Sequence, residues 1–206
     1  IAVDTMTAVT GNAGFRILGA TDSDNTGFAV SGAGDVNADG IDDVIVGIPG
    51  YDPPSRNNGG AAVIIFGKRT GWADIDVSNF VGGNIGFAVF GENAGDALGI
   101  AVNSAGDING DGAGDIIIGA STAAPLGRSN AGAAYVLFGH PVGYSYSNIN
   151  LNSFTASATL GFRIMGAFIN DFSGRSVSGA GDVNRDGFDD IIVGACKQDA
   201  STPVQK

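Results

Sequence analysis

Three stretches of the chain repeat the pattern Asp-x-Asn-x-Asp-Gly-x-x-Asp, which sets oxygen-bearing side chains at alternate positions of a short loop. Calcium is a hard cation that takes about six to eight oxygen ligands, and a tight loop turning on a glycine presents oxygens in that way. In the first copy Asp35, Asn37 and Asp39 are expected to ligate by side chain, Ile41 by its carbonyl, and Asp43 as the closing carboxylate. The second copy offers Asp107, Asn109, Asp111, the Ala113 carbonyl and Asp115; the third offers Asp182, Asn184, Asp186, the Phe188 carbonyl and Asp190. Three calcium sites are the expectation. Magnesium suits them less, because it keeps more of its water and demands a smaller octahedral cage.

Two other readings compete. An EF-hand begins with the same spacing but needs a glutamate at its twelfth position and flanking helices. The twelfth positions here are Val46, Ile118 and Val193, each inside an apolar run, which excludes it. Asp, Asn and Gly also make ordinary turns. Three copies that each keep all four side-chain oxygens argue against turns alone.

The loops belong to a longer repeat. Their first aspartates, at 35, 107 and 182, lie 72 and then 75 residues apart. Gly14-Phe15-Arg16-Ile17-Leu18-Gly19 returns as Gly86-Phe87-Ala88-Val89-Phe90-Gly91 and as Gly161-Phe162-Arg163-Ile164-Met165-Gly166. Gly60-Ala61-Ala62-Val63-Ile64-Ile65-Phe66-Gly67 returns as Gly132-Ala133-Ala134-Tyr135-Val136-Leu137-Phe138-Gly139. Each period therefore holds four short segments rich in Val, Ile and Phe, bounded by Gly, Asn and Asp, which reads as four β-strands. The first complete unit places strands A to D near 27–34, 42–48, 60–67 and 85–91; the second near 98–106, 114–120, 132–139 and 160–166. Residues 14–20 read as a lone D strand, and 173–181 and 189–195 as an A and a B. Four-stranded units arrayed side by side are the blades of a β-propeller, which takes about four to eight of them. The expected fold is all-β: part of one propeller over 1–206, an incomplete ring of two full blades and parts of two others, with repeats over 14–84, 86–159 and a truncated 161–206.

Composition fits a folded acidic protein. The chain has 206 residues, 44% of them hydrophobic, and a formal net charge of −11. Nucleic acid and anionic membrane surfaces need a basic patch, so neither is an expected partner. The single cysteine, Cys196, permits no internal disulfide, and with the single histidine, His140, it cannot make a zinc site. Cys196 reads as a small buried apolar residue. No apolar run reaches the length of a membrane span.

At these residues the chain resembles the FG-GAP repeats of integrin-α β-propellers, over essentially 14–195. The loop running into an apolar strand, as in Asp42-Asp43-Val44-Ile45-Val46-Gly47, carries the resemblance most specifically. The family's Phe-Gly reads Thr26-Gly27, Leu98-Gly99 and Ser173-Gly174 here, keeping the glycine. Its Gly-Ala-Pro reads Gly47-Ile48-Pro49, Gly119-Ala120-Ser121 and Gly194-Ala195-Cys196.

The resemblance implies a calcium loop in each A–B hairpin and a protein or glycan ligand on the opposite face, formed by the B–C loops 49–59 and 121–131 and the D–A loops 19–26, 91–97 and 167–172. It implies an extracellular or cell-surface module for adhesion or ligand binding, completed by further blades of a longer chain or of neighbouring chains. A structural repeat of a large surface protein or filament is one alternative. A non-catalytic accessory propeller of a secreted enzyme is another. No nucleophile elbow or phosphate loop is present, so the segment itself is expected to be no enzyme. Arg56 and Arg128 recur at matching B–C positions, which suits blade-to-blade architecture better than a unique binding spot. Trp72 reads as a packing anchor. The long C–D connections share Ile75-Asp76-Val77 with Ile149-Asn150-Leu151, with an echo at Ile1-Ala2-Val3-Asp4, and suggest a small extra strand.

Overall fold

A computed structural model describes residues 14–197. The strands, in chain order, are β1 (Ile17–Leu18), β2 (Ala29–Gly34), β3 (Asp43–Ile48), β4 (Ala61–Ile65), β5 (Ile75–Asp76), β6 (Gly86–Phe90) and β7 (Ala101–Gly106). They continue as β8 (Asp115–Ala120), β9 (Ala133–Leu137), β10 (Ile149–Asn150), β11 (Gly161–Met165), β12 (Ser173–Gly181) and β13 (Asp190–Ala195).

Two full antiparallel blades form, β2–β3–β4–β6 and β7–β8–β9–β11, each joined strand to neighbouring strand. The hairpin β12–β13 starts a third blade, and β1 stands where the D strand of a preceding one belongs. No closed ring forms among the described residues. The C–D connections do carry an extra strand, and it lies on the preceding blade: β5 pairs in parallel with β1, and β10 with β6. Each connection thus straps its blade to the outer edge of the one before. The echo at residues 1–4 falls outside the described residues.

Both faces of the middle strands are covered, so they read as unbroken apolar runs rather than alternating ones. Ile45, Ile64, Phe87 and Val89 meet Val102, Ile116, Tyr135 and Leu137 in the core between the two full blades. A second core sets Ile117, Ala134 and Val136 against Val177 of the third blade. Ile45 and Ile117 are 0% exposed, whereas Ile192, the next residue in that series, is 62% exposed because no further blade among the described residues lies against it. Cys196 is exposed, which corrects its reading as a buried residue. Its expected cover, a strand C of the third blade, is not among the described residues.

Candidate metal loops and the repeat family

The three loops fold alike, each between an A and a B strand. Strand A ends in a register shift at Gly34, Gly106 or Gly181, which turns the following aspartate into the loop. Each loop then winds around its first carboxylate. Asp39, Asp111 and Asp186 donate their backbone N–H groups to Asp35, Asp107 and Asp182 Oδ1 at 2.9, 3.1 and 3.1 Å. The glycine after them, Gly40, Gly112 or Gly187, donates to the other oxygen of that aspartate at 2.8, 2.9 and 3.0 Å. These glycines have φ of 85°, 87° and 93°, so the left-handed turn calls for a residue without Cβ.

The amides and the fifth-position carboxylates are brought together as well. Asn37, Asn109 and Asn184 donate Nδ2 to Asp39, Asp111 and Asp186 Oδ2 at 3.0, 2.9 and 3.0 Å. The N–H groups of Ile41, Ala113 and Phe188 bind the other oxygen of those carboxylates, at 2.9, 2.9 and 3.0 Å.

The closing carboxylates point inward. Asp43 Oδ2 accepts from Val36 N–H at 2.8 Å and Oδ1 from Gly67 N–H at 2.7 Å; Asp115 does the same with Ile108 and Gly139, at 2.8 and 2.9 Å. Asp190 makes the first of these bonds, with Val183 at 2.9 Å. Asp43 and Asp115 are 1% and 0% exposed. Burial pushes each up to about 6, and the neighbouring Asp35 and Asp39, or Asp111 and Asp107, push the same way against the backbone donors.

Among the described residues no three His, Cys, Asp or Glu side chains stand together as a ready metal cluster. The loops instead bring together carboxylate and amide oxygens, with the closing carboxylate turned to the backbone. That set is hard and all-oxygen, and it contains no thiolate or imidazole, so its chemistry fits calcium rather than a transition metal.

The loops are also linked from blade to blade. Gly114 N–H donates to the Asp35 carbonyl at 2.8 Å, and Asp189 N–H to the Asp107 carbonyl at 3.2 Å. Asp189 adds its side chain, accepting from Asp107 N–H at 2.8 Å. The second and third loops therefore each rest on the first aspartate of the loop before.

Arg56 is architectural. Only 8% exposed, it donates to the Gly91 carbonyl and to Asn150 Oδ1 of the next blade's strap. Trp72 is the packing anchor its type suggested, stacked on Phe15 with ring centroids 4.2 Å apart.

Two constellations escaped the sequence reading. Asp24, Asp96 and Asp171 are buried in the D–A loops, each accepting the N–H three residues before it, from Thr21, Asn93 and Phe168. They keep the spacing of 72 and 75 residues, so the period itself could have found them. Glu92 Oε2 accepts from both the Tyr135 hydroxyl and Arg163 Nη1, each at 2.6 Å, pinning the first blade to the second. No repeat signal marks that trio.

A family model for the FG-GAP repeat matches residues 26–65, 101–137 and 173–195, each window holding one loop and the strands around it. The chain belongs to the FG-GAP repeat family, and its blades are those of an FG-GAP β-propeller. It is 30% identical to phosphatidylinositol-glycan-specific phospholipase D of Bos taurus over 82% of this chain and 18% of that protein. It is 30% identical to integrin alpha-6 of Gallus gallus over 81% of this chain and 13% of that protein, and 35% identical to integrin alpha-2 of Bos taurus over 80% and 12%. The chain thus spans less than a fifth of the length of these curated relatives.

Proposed function

We propose that the chain is a calcium-binding, non-catalytic propeller module of an extracellular or cell-surface protein, serving adhesion or ligand binding. One observation carries the calcium reading. Three loops fold to one hydrogen-bonded plan around an all-oxygen set, and in two of them a fully buried closing carboxylate feels the charge of two further carboxylates of its loop. A bound cation offsets that repulsion and holds strands A and B of each blade. The similarity to integrin alpha chains supports the adhesive role and an extracellular setting. No helix among the described residues is long and apolar enough to cross a membrane. Exposed Ile192 and the lone hairpin β12–β13 support further blades as partners, from the same longer chain or from neighbours.

A second reading is an accessory propeller of a secreted enzyme, and the similarity to a phospholipase D supports it. In either setting calcium acts on stability first. The expected affinity is weak, with a dissociation constant of about 10⁻⁴–10⁻³ M, because each loop has three carboxylates and no bidentate glutamate. At ten times that constant each site adds about 1.4 kcal/mol, provided calcium binds only the folded state. Thermal melting with calcium and with chelator tests this. The midpoint should rise with calcium, and an unchanged midpoint would make the loops ordinary turns.

A further inference from the structure

A cleft of about 370 Å³ opens beside the first loop, between Asn37 and Asp39 on one side and the β9–β10 connection of the next blade on the other. Part of that connection repeats its predecessor. In the earlier one, Trp72 stacks on Phe15 of the blade before; in this one, Tyr146 stacks on Phe87, with centroids 5.0 Å apart and planes 15° apart. The second connection is two residues longer, running from 138 to 149 where the first runs from 66 to 75. Counting back from the stacked ring, the surplus puts Tyr144 where the first connection has Thr70.

Repeated contacts hold blades together, so a surplus side chain is free for another use. Tyr144 is 53% exposed, leans on His140 and the edge of Tyr146, and makes no hydrogen bond through its hydroxyl among the described residues. Val142, on the same strap, is 73% exposed.

The lining decides the class of ligand. Among the described residues no lysine or arginine lines the cleft, and Asp39 does, so an anion is disfavoured. Amide, hydroxyl and carboxylate groups sit beside aromatic rings, too polar a mixture for a lipid chain. A volume near the lower end of small-ligand pockets, about 300–1,000 Å³, suits one sugar ring. We propose that this cleft binds a neutral pyranose unit of a glycan, its apolar face against Tyr144 and its hydroxyls toward Asp39, Asn37 and Asn84. This places a glycan site beside a metal loop rather than on the opposite face. It rests on the proposed calcium reading only in that Asn37 and Asp39 belong to the first loop.

The test is a nitrogen-15 chemical-shift titration of the 206-residue chain with the methyl glycosides of glucose, galactose, mannose and N-acetylglucosamine, and with choline as a cationic probe for the same aromatic rings. At least one glycoside should shift the Gly143 and Ser145 amides saturably at millimolar concentration. Tyr144→Ala should weaken that binding about tenfold, the loss expected for an aromatic anchor. Val142→Asp on the same strap should weaken it too, and Trp72→Phe should leave it unchanged. The proposal is overturned if no glycoside shifts those amides, if choline alone does, or if both strap variants bind like the parent chain. Calcium uptake by calorimetry on the same samples separates the two readings. Uptake without glycoside binding removes the cleft alone, and glycoside binding without calcium uptake removes the loops alone.

Discussion

A Cβ added to Gly47 would lie 2.0 Å from the carbonyl oxygen of Gly99, and one added to Gly119 would lie 2.0 Å from that of Gly174. Strand B of each blade therefore touches the first residues of the next blade's strand A backbone to backbone. These are the glycines retained from the family's two eponymous motifs, and the contact explains why they stay where the aromatic is lost from all three copies and the proline from the second and third. Gly47→Ala and Gly119→Ala should each cost about 3 kcal/mol, at the upper end for overpacking, because backbone cannot swing away like a side chain. Gly32→Ala, with open space around its Cβ, should change stability by less than about 0.5 kcal/mol. Urea denaturation of the three variants checks the contrast.

Ala38 sits at φ 54° in the first loop, where the second loop has Gly110 at φ 74°. A side chain in the left-handed region costs about 1–2 kcal/mol, partly offset by the greater chain entropy that glycine loses on folding. Ala38→Gly should therefore stabilise the protein by about 0.5–1 kcal/mol. Denaturant midpoints of the pair measure it, and a lower midpoint for the glycine variant contradicts the strain.

Strand order and the four-stranded blade were legible because Val, Ile and Phe runs alternate with glycine and aspartate at a fixed period. The extra strands β5 and β10 were legible as a shared Ile-x-aliphatic motif, though not the blade each would join, since that contact is long in sequence. The loops were legible as a spacing of oxygen-bearing residues. Their hydrogen bonds to the next blade were not, because Gly114 and Asp189 share no residue type. The Glu92, Tyr135 and Arg163 trio was hidden for the same physical reason: its members stand where the other repeats carry alanine, valine or an arginine paired elsewhere, as Arg16 is with Asp74.

Glu92 is the sole acceptor of the Tyr135 hydroxyl among the described residues, and Tyr135 is 2% exposed. Glu92→Ala should cost about 1–3 kcal/mol by leaving the hydrogen of that buried hydroxyl without an acceptor. Tyr135→Phe, which removes the donor with its need, should cost less, and the double variant little more than Tyr135→Phe alone. A double-mutant cycle by chemical denaturation reads this out, and strict additivity would contradict it.

Burial, helped by the nearby Glu92 charge, holds the Asp96 carboxyl above the usual range against its Asn93 donors. A carboxyl raised on folding contributes stability that is full below its unfolded pKa and is lost as pH rises through its folded one. Asp96→Asn has no such dependence. The melting difference between variant and parent should therefore move in the variant's favour as pH goes from about 4 to 7, and a difference independent of pH would contradict the shift.

Isothermal calorimetry of the calcium-stripped chain tests the central claim most directly. Saturable uptake at millimolar calcium, approaching one ion for each of the loops beginning at Asp35, Asp107 and Asp182, is the predicted result. Asp111→Ala should remove one site's share and leave the other two. No uptake at millimolar calcium, or uptake that Asp111→Ala leaves whole, would contradict it.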